Sequence, residues 1–186
     1  MKVVELKGAG LYTPELHGVT EIAIVDPDPE PTVVFHRLVN PVAPVSDEVF
    51  EFNFGIPRAE VADAPMLLDL MPEIQAACQG EVLAAHRATV TAGFLPELSG
   101  PWLCTEDLAR VLLPEEASYS SQDLGSKFGI GAPSADTQRA VTDALVTAWI
   151  LRVLRELALA EGFSEHPASL LELVWSPENY PLQRVS

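Results

Sequence analysis

Two residues of opposite charge, Glu5 and Lys7, lie close together in the first apolar segment of the chain. The run from Val3 to Leu6 has the composition of a short buried strand. A carboxylate in a buried strand costs free energy unless a cation or hydrogen-bond donors accompany it. Because Lys7 is the nearest cation, we predict that it is the partner of Glu5 and that the two form an internal ion pair.

Other residues with reactive side chains lack the context that their chemistry needs. The serines around position 120 lack the nucleophile elbow of a serine hydrolase, and Gly8 with Gly10 is too short for a phosphate-binding loop. Two isolated cysteines, Cys78 and Cys104, are predicted to be reduced structural thiols, which favours a cytoplasmic location. The histidines without metal-ligand spacing are interpreted as structural or exposed: His17, His36 and His166.

The charge of the chain restricts its partners. Twenty-seven acidic residues against eleven basic ones give a net charge of −16, and the basic residues are scattered along the sequence. Such a chain repels polyanions unless positive charge is gathered locally or metal ions screen the approach. We therefore expect nucleic-acid binding to be weak. No apolar run reaches the ~18 residues that a membrane span needs, so we predict no membrane association.

Three strands are predicted in the first forty residues, over 3–6, 21–25 and 32–39, joined without a helix, which indicates an antiparallel meander. Strand-helix units follow. Their elements are a helix over 65–80 that Pro72 kinks or restarts, a strand over 82–85, a helical segment over 86–98, a strand over 102–104, and helices over 106–113 and 121–128. The pattern predicts an α/β fold with a mixed five-stranded sheet and helices on both faces.

The longest helix is predicted from about Asp136, which can cap it, to Glu161, with an apolar stripe that packs on the sheet. Asp143 lies off that stripe, where it meets solvent or a site. The chain then divides into a domain over 1–161 and a tail over 162–186. Because the tail carries Trp175, we expect it to pack on the body or on a partner protein.

The ordered set of short motifs from Val3 to Glu161 resembles the DEDD-type (DnaQ-like) 3′-5′ exonucleases, which have a ribonuclease H-like fold. The shared order and spacing of the segments carry this resemblance. The segments are Gly10-Leu11, Glu21-Ile22-Ala23, Leu38-Val39-Asn40-Pro41, Ala64-Pro65, Ala85-His86, Gly93-Phe94-Leu95, Leu108-Ala109-Arg110, Arg139-Ala140 and Asp143-Ala144.

The resemblance implies a catalytic set that this chain has largely replaced. The first family motif, Asp-x-Glu, is matched by Glu5 and Lys7. The aspartate of the second motif is matched by Thr91, and the histidine of the last motif by Gln138. Only Asp143, the aspartate of the last motif, is unchanged.

These replacements change the chemistry that the family motifs supply. The family uses four carboxylates to hold two divalent metals and a histidine or tyrosine as general base. Glu5, Lys7 and Asp143 together carry only −1, and Lys7 is predicted to lie near both carboxylates as an ion pair where a metal would otherwise bind. Gln138 cannot accept a proton near neutral pH. His86, which matches a position outside the metal set, is interpreted as a packed, hydrogen-bonded residue.

Three hypotheses about function follow. The first is a catalytically degenerate exonuclease-like pseudoenzyme that acts by binding a protein partner or nucleic-acid ends, with Glu5 and Asp143 as remnant positions and no cofactor. The alternative is an active 3′-5′ exonuclease that uses Mg²⁺ or Mn²⁺ at an altered site made by Glu5 and Asp143. The third is a structural subunit whose acidic surface or Trp175 region binds a basic partner.

Overall fold

A five-stranded mixed sheet forms the centre of the computed structural model, which describes residues 1–9, 18–41, 47, 56–131 and 139–175. The sheet order is β3-β2-β1-β4-β5; β1, β2 and β3 are antiparallel, and β4 and β5 run parallel to β1. The strands are β1 (Lys2–Ala9), β2 (Gly18–Asp26), β3 (Thr32–Leu38), β4 (Leu83–Ala85) and β5 (Trp102–Cys104).

Seven helices lie in the described part of the chain. Helix α6 is the longest and contacts β1 and β2. No helix within these residues has the length and apolar character needed to cross a membrane. The helices are α1 (Arg58–Val61), α2 (Leu67–Cys78), α3 (Ala88–Phe94), α4 (Thr105–Leu112), α5 (Ser121–Lys127), α6 (Ala140–Ala160) and α7 (Pro167–Val174).

Each face of the sheet is covered by its own apolar core because side chains alternate along the strands. On one face, Val3 packs with residues of α4, α6 and α7. On the other, Val4 packs with residues of α2, including Ile74. The α/β fold predicted from the sequence, with helices on both faces of a mixed sheet, is therefore confirmed.

The structure corrects several element boundaries. Strand β1 continues through Gly8 to Ala9, beyond the predicted end at Leu6, because it pairs with the start of β2 across a register shift at Gly8. Helix α2 runs as one element through Pro72 and does not restart there. The segment predicted as helical over 86–98 is helical only over α3. Helix α6 begins at Ala140, later than predicted, and the expected cap Asp136 lies outside the described residues.

Helix α7 packs on the body of the protein. Leu170 and Val174 are fully buried in the core that α4 and α6 share, whereas Trp175, just after the helix, is 55% exposed. Residues beyond Trp175 lie outside the described part. The boundary between a domain ending at residue 161 and a separate tail therefore stays a prediction.

Candidate functional site

Strand β1 directs two charged side chains toward α6. Glu5 and Lys7 lie on the same side of the strand as Val3, which belongs to the core under α6. In the antiparallel ladder Lys7 pairs with Glu21 of β2, so that Glu21 lies on this face as well. Three charged residues of neighbouring strands thus meet one helix.

Glu21 holds the first turn of α6. It is fully buried, and its carboxylate accepts hydrogen bonds from the Ala140 amide at 2.8 Å and from Arg139 Nε at 3.0 Å. His36 Nε2 lies 2.6 Å from the other carboxylate oxygen. Amides in the first turn of a helix have no intrahelical partner, so this carboxylate acts as the cap that Asp136 was expected to supply.

The pKa of Glu21 follows from these contacts. Burial by itself would raise the pKa of this carboxyl. The hydrogen bonds from Arg139, Ala140 and His36, together with the charge of Arg139, outweigh burial and lower the pKa below its ordinary value. Glu21 therefore remains ionised and keeps the start of α6 in place.

One turn into α6, Asp143 forms an ion pair with Lys7, whose ammonium donates a hydrogen bond to its carboxylate. The two side chains are 16% and 29% exposed, so the pair is partly shielded from water. Among the described residues no ion pair joins Lys7 to Glu5. The prediction that Lys7 forms an ion pair with Glu5 is therefore wrong. The physical reason is that α6 brings the Asp143 carboxylate to the ammonium, while the Glu5 carboxylate takes donors from other elements.

Glu5 is held by two neutral donors. Its Oε1 accepts hydrogen bonds from the His86 amide, at the end of β4, at 2.8 Å and from Thr147 Oγ1 of α6 at 2.9 Å. Burial raises the pKa of the Glu5 carboxyl to about 7; the two hydrogen bonds lower it in part, and the Asp143 charge adds to the rise. The Glu5 carboxyl therefore keeps its proton to a higher pH than an ordinary glutamate.

The sequence interpretation missed the roles of Glu21 and Thr147. Thr147 lies four residues after Asp143, which is the spacing that places two side chains on one helix face, and this signal could have identified it. Glu21 belongs to a segment that carries the family resemblance, but no local pattern indicated its contact with Arg139 and Ala140, which lie more than a hundred residues away.

His86 is packed and hydrogen-bonded, as predicted. Its ring is buried, with Nδ1 3.0 Å from Thr105 Oγ1 and Nε2 2.8 Å from the Tyr119 carbonyl oxygen. Burial lowers the pKa of His86. With both ring nitrogens in hydrogen bonds to protein groups, His86 fixes the end of β4 and the loop at Tyr119.

A cavity of about 410 Å³ lies beside Glu5, Lys7 and Asp143. The ion pair of Lys7 and Asp143 lies on its wall beside Glu5, and Thr91 is a buried part of α3 there. Gln138 lies outside the described residues, so its placement stays a prediction. The remaining wall is formed by Leu6, Gly8, His86, Arg87, Val90, Phe94, Ser121 and Thr147.

The described side chains do not fit a centre for two divalent ions. Such a centre needs several ionised carboxylates around each metal. Here the Asp143 carboxylate is bonded to an ammonium, Glu5 Oε1 already accepts hydrogen bonds from an amide and a hydroxyl, and Thr91 has no charge. Within the described ranges, no three His, Cys, Asp or Glu side chains form a group that could hold a metal.

Comparisons with curated proteins find bacterial nucleases and polymerases. Exodeoxyribonuclease 10 of Escherichia coli (strain K12) is 31% identical over 161 residues, which cover 81% of this chain and 66% of that protein. DNA polymerase III PolC-type of Streptococcus pneumoniae is 30% identical over 161 residues, 11% of its own length. No protein-family model matches the chain.

Comparison with solved structures also finds exonucleases. Exonuclease X in complex with 5′ overhanging duplex DNA superposes with a TM-score of 0.74 at 27% identity, covering 93% of this chain and 98% of that one. A full-length 3′-exonuclease shares the fold with a TM-score of 0.66 at 15% identity. The sequence relatives and the shared sheet and helices together establish that this chain belongs to the DEDD-type (DnaQ-like) 3′-5′ exonuclease family.

Proposed function

We propose that this chain is a catalytically degenerate member of the exonuclease family that acts by binding and not by hydrolysis. The observation that carries the proposal is the ion pair between Lys7 and Asp143. An ammonium bonded to the remaining motif aspartate repels divalent cations and occupies its oxygen. The replacement of two further motif positions, at Thr91 and Gln138, supports the same conclusion.

The ligand that we propose is a nucleic-acid end or a protein partner. The cavity beside Lys7 supports the first, since Exonuclease X, which has this fold, forms a complex with 5′ overhanging duplex DNA. The net charge of −16 supports weak binding of nucleic acid and also a basic protein partner. The buried thiols of Cys78 and Cys104 support a cytoplasmic location.

Degradation assays test the loss of catalysis. Purified protein is incubated with labelled single-stranded DNA and short RNA in Mg²⁺, in Mn²⁺ and in EDTA, beside an Asp143→Ala variant prepared identically. We expect both proteins to leave the substrates intact under all three conditions. Degradation that EDTA stops and that Asp143→Ala abolishes would show that the chain is an active nuclease.

The second candidate is a metal-dependent 3′-5′ exonuclease with an altered site. It is favoured by the fact that Glu5 and Asp143 line the same cavity. It requires that a divalent ion displace Lys7 from Asp143. Calorimetric titration with excess Mg²⁺ or Mn²⁺ separates the two candidates, because the degenerate protein releases no binding heat. A single bound ion that is lost in Asp143→Asn would favour the second candidate.

A further inference from the structure

The Lys7 ammonium is a fixed positive charge in the wall of the cavity. It has three N–H donors, and among the described residues Asp143 is its one hydrogen-bond partner. The side chain is 16% exposed, so its charge is weakly screened by water and acts over the adjacent space. Two of its N–H groups thus have no partner within the part of the chain that the structure describes, and they can donate to an anion.

The charged groups of the cavity wall balance each other. Among the lining residues, Lys7 and Arg87 carry positive charge, and Glu5 and Asp143 carry negative charge when both are ionised. Arg87 Nε also lies 4.0 Å from Glu106, which is outside the lining. A site with four carboxylates must take up metal ions before it can accept a phosphate. In contrast, this wall presents no net negative charge to an incoming anion, although the molecule as a whole is acidic.

Another part of the wall is apolar. Leu6, Val90 and Phe94 line the cavity, and Val90 is 40% exposed. The Phe94 ring lies against Gly8 of β1, where a Cβ atom would meet Phe94 Cζ at 3.4 Å. The Phe94 ring is partly buried against the core that contains Val4 and also lines the cavity. Aromatic rings that line a nucleic-acid site can stack with nucleobases, and this stacking tolerates any base. The cavity therefore combines an ammonium, which suits a phosphate, with an apolar surface, which suits a base.

We infer that this cavity binds a nucleotide phosphate without divalent metal, with the Lys7 ammonium supplying the positive charge and Phe94 contacting the base. The inference rests on the proposed function and adds a ligand class and a metal-independent mode of binding to it. The phosphate can come from a free nucleoside monophosphate or from the end of a single strand. Both sources present the same group to Lys7.

The experiment is a binding titration in EDTA and again in Mg²⁺. The probes are deoxythymidine 5′-monophosphate, followed by calorimetry, and a short fluorescent oligodeoxythymidine, followed by anisotropy. We expect at least one probe to bind equally well in both buffers. Binding of the oligonucleotide alone assigns the phosphate to a strand end, whereas equal binding of both assigns it to the nucleotide itself; either result supports the inference.

Variants of Lys7 test the origin of the affinity. Loss of a charge-assisted hydrogen bond in Lys7→Met should weaken binding by about tenfold or more, and Lys7→Arg should retain most of it. Lys2→Met is the matched control. Lys2 lies on the same strand, is also 16% exposed and is paired with Asp26, but it does not line the cavity.

Asp143→Asn should change nucleotide affinity in opposite directions for a site in which Lys7 holds the phosphate and for a site in which Asp143 holds a metal ion. If Lys7 holds the phosphate, removal of the competing carboxylate should tighten binding in EDTA, by roughly tenfold. This variant also tests the inference if Lys7→Met fails to fold, as judged by circular dichroism. Weaker binding by Asp143→Asn would overturn the inference.

Two results would overturn the inference and would bear differently on the proposed function. Binding that requires Mg²⁺, together with degradation of the oligonucleotide, would contradict both. Absence of binding by either probe in both buffers, without any degradation, would contradict the inference alone, because a degenerate protein that binds a protein partner gives that result.

Discussion

At the scale of single residues, Glu5 is where burial and charge conflict most directly. Its carboxyl accepts hydrogen bonds from the His86 amide and Thr147, but no cation is bonded to it among the described residues. The nearest ammonium, that of Lys7, is bonded to Asp143. Folding therefore raises the pKa of Glu5 from 4.5 to about 7.

This shift predicts how stability changes with pH. Since the folded state holds the Glu5 proton more tightly than the unfolded state, the contribution of Glu5 to stability decreases as pH rises from 4.5 to about 7. Glu5→Gln removes the charge and keeps an oxygen acceptor. We expect the variant to gain up to about 3 kcal/mol over wild type above neutral pH and little near pH 4.5. Urea unfolding at both pH values measures this difference.

The control for this prediction is Glu30→Gln, which removes an exposed carboxylate in the turn between β2 and β3. Its effect on the free energy of unfolding should be small at both pH values. If Glu5→Gln gained the same stability near pH 4.5 and above neutral pH, Glu5 would not titrate between these pH values as described.

At the scale of elements, one buried carboxylate connects strand β2 to helix α6. Glu21 bonds to Arg139 and to the Ala140 amide, and this contact fixes the position of Asp143 one turn further on. The ion pair with Lys7 therefore depends on a contact at the end of the helix as well as on the two paired residues.

Glu21→Gln should destabilise the protein and loosen the start of α6. Removal of one partner from a buried ion pair typically costs about 3 kcal/mol or more. Because the pKa of Glu21 is lowered by folding, the loss relative to wild type should be full above pH 4.5 and should diminish as pH falls below it. Urea unfolding measures the loss, and faster amide exchange in the first turn of α6 locates it. Unchanged exchange there would contradict the capping role.

The elements themselves could largely be predicted from local sequence. Runs of β-branched residues marked β2 and β3, and apolar periodicity marked α2 and α6. The cap of α6 could not be predicted because Glu21 lies 119 residues from Ala140. For the site, the motif resemblance identified Glu5, Lys7 and Asp143 and predicted that Lys7 lies near both carboxylates. Which of the two carboxylates Lys7 bonds depended on how α6 lies over the sheet, which local patterns do not encode.

At the scale of the whole molecule, the charge of −16 determines how a nucleic acid is approached. A basic groove gives a steep loss of affinity for a single strand with salt, with a slope of about −0.7 for each phosphate contacted. We expect oligonucleotide affinity to fall with a slope no steeper than about −1, since one ammonium supplies the main contact and salt also screens the repulsion between two polyanions. Titrations over a range of NaCl concentrations measure this slope. A slope several times steeper would indicate a basic surface that the charge distribution does not suggest.

Helix α7 belongs to the folded body, which changes how the Trp175 region is tested. Truncation after Glu161 would remove Leu170 and Val174 from the core, so that loss of partner binding could not be separated from unfolding.

We expect Leu170→Ala to cost about 2–5 kcal/mol of stability in urea unfolding. In contrast, Trp175→Ala removes a side chain that is 55% exposed and should leave most of the stability intact. Unchanged affinity for a basic partner in Trp175→Ala would argue against binding through this region.

The contacts of the central strand also imply an order of assembly. Paired residues of β1 and β2 lie 9 positions apart at Ala9 and Gly18 and 22 at Val3 and Val25. In contrast, Glu5 meets the His86 amide 81 positions away and Lys7 meets Asp143 136 positions away. Long loops must close before such distant contacts stabilise anything, and they form late for that reason. The three-stranded meander is therefore expected to form first during refolding. The cavity is completed only when α6 docks, and it opens whenever that helix detaches.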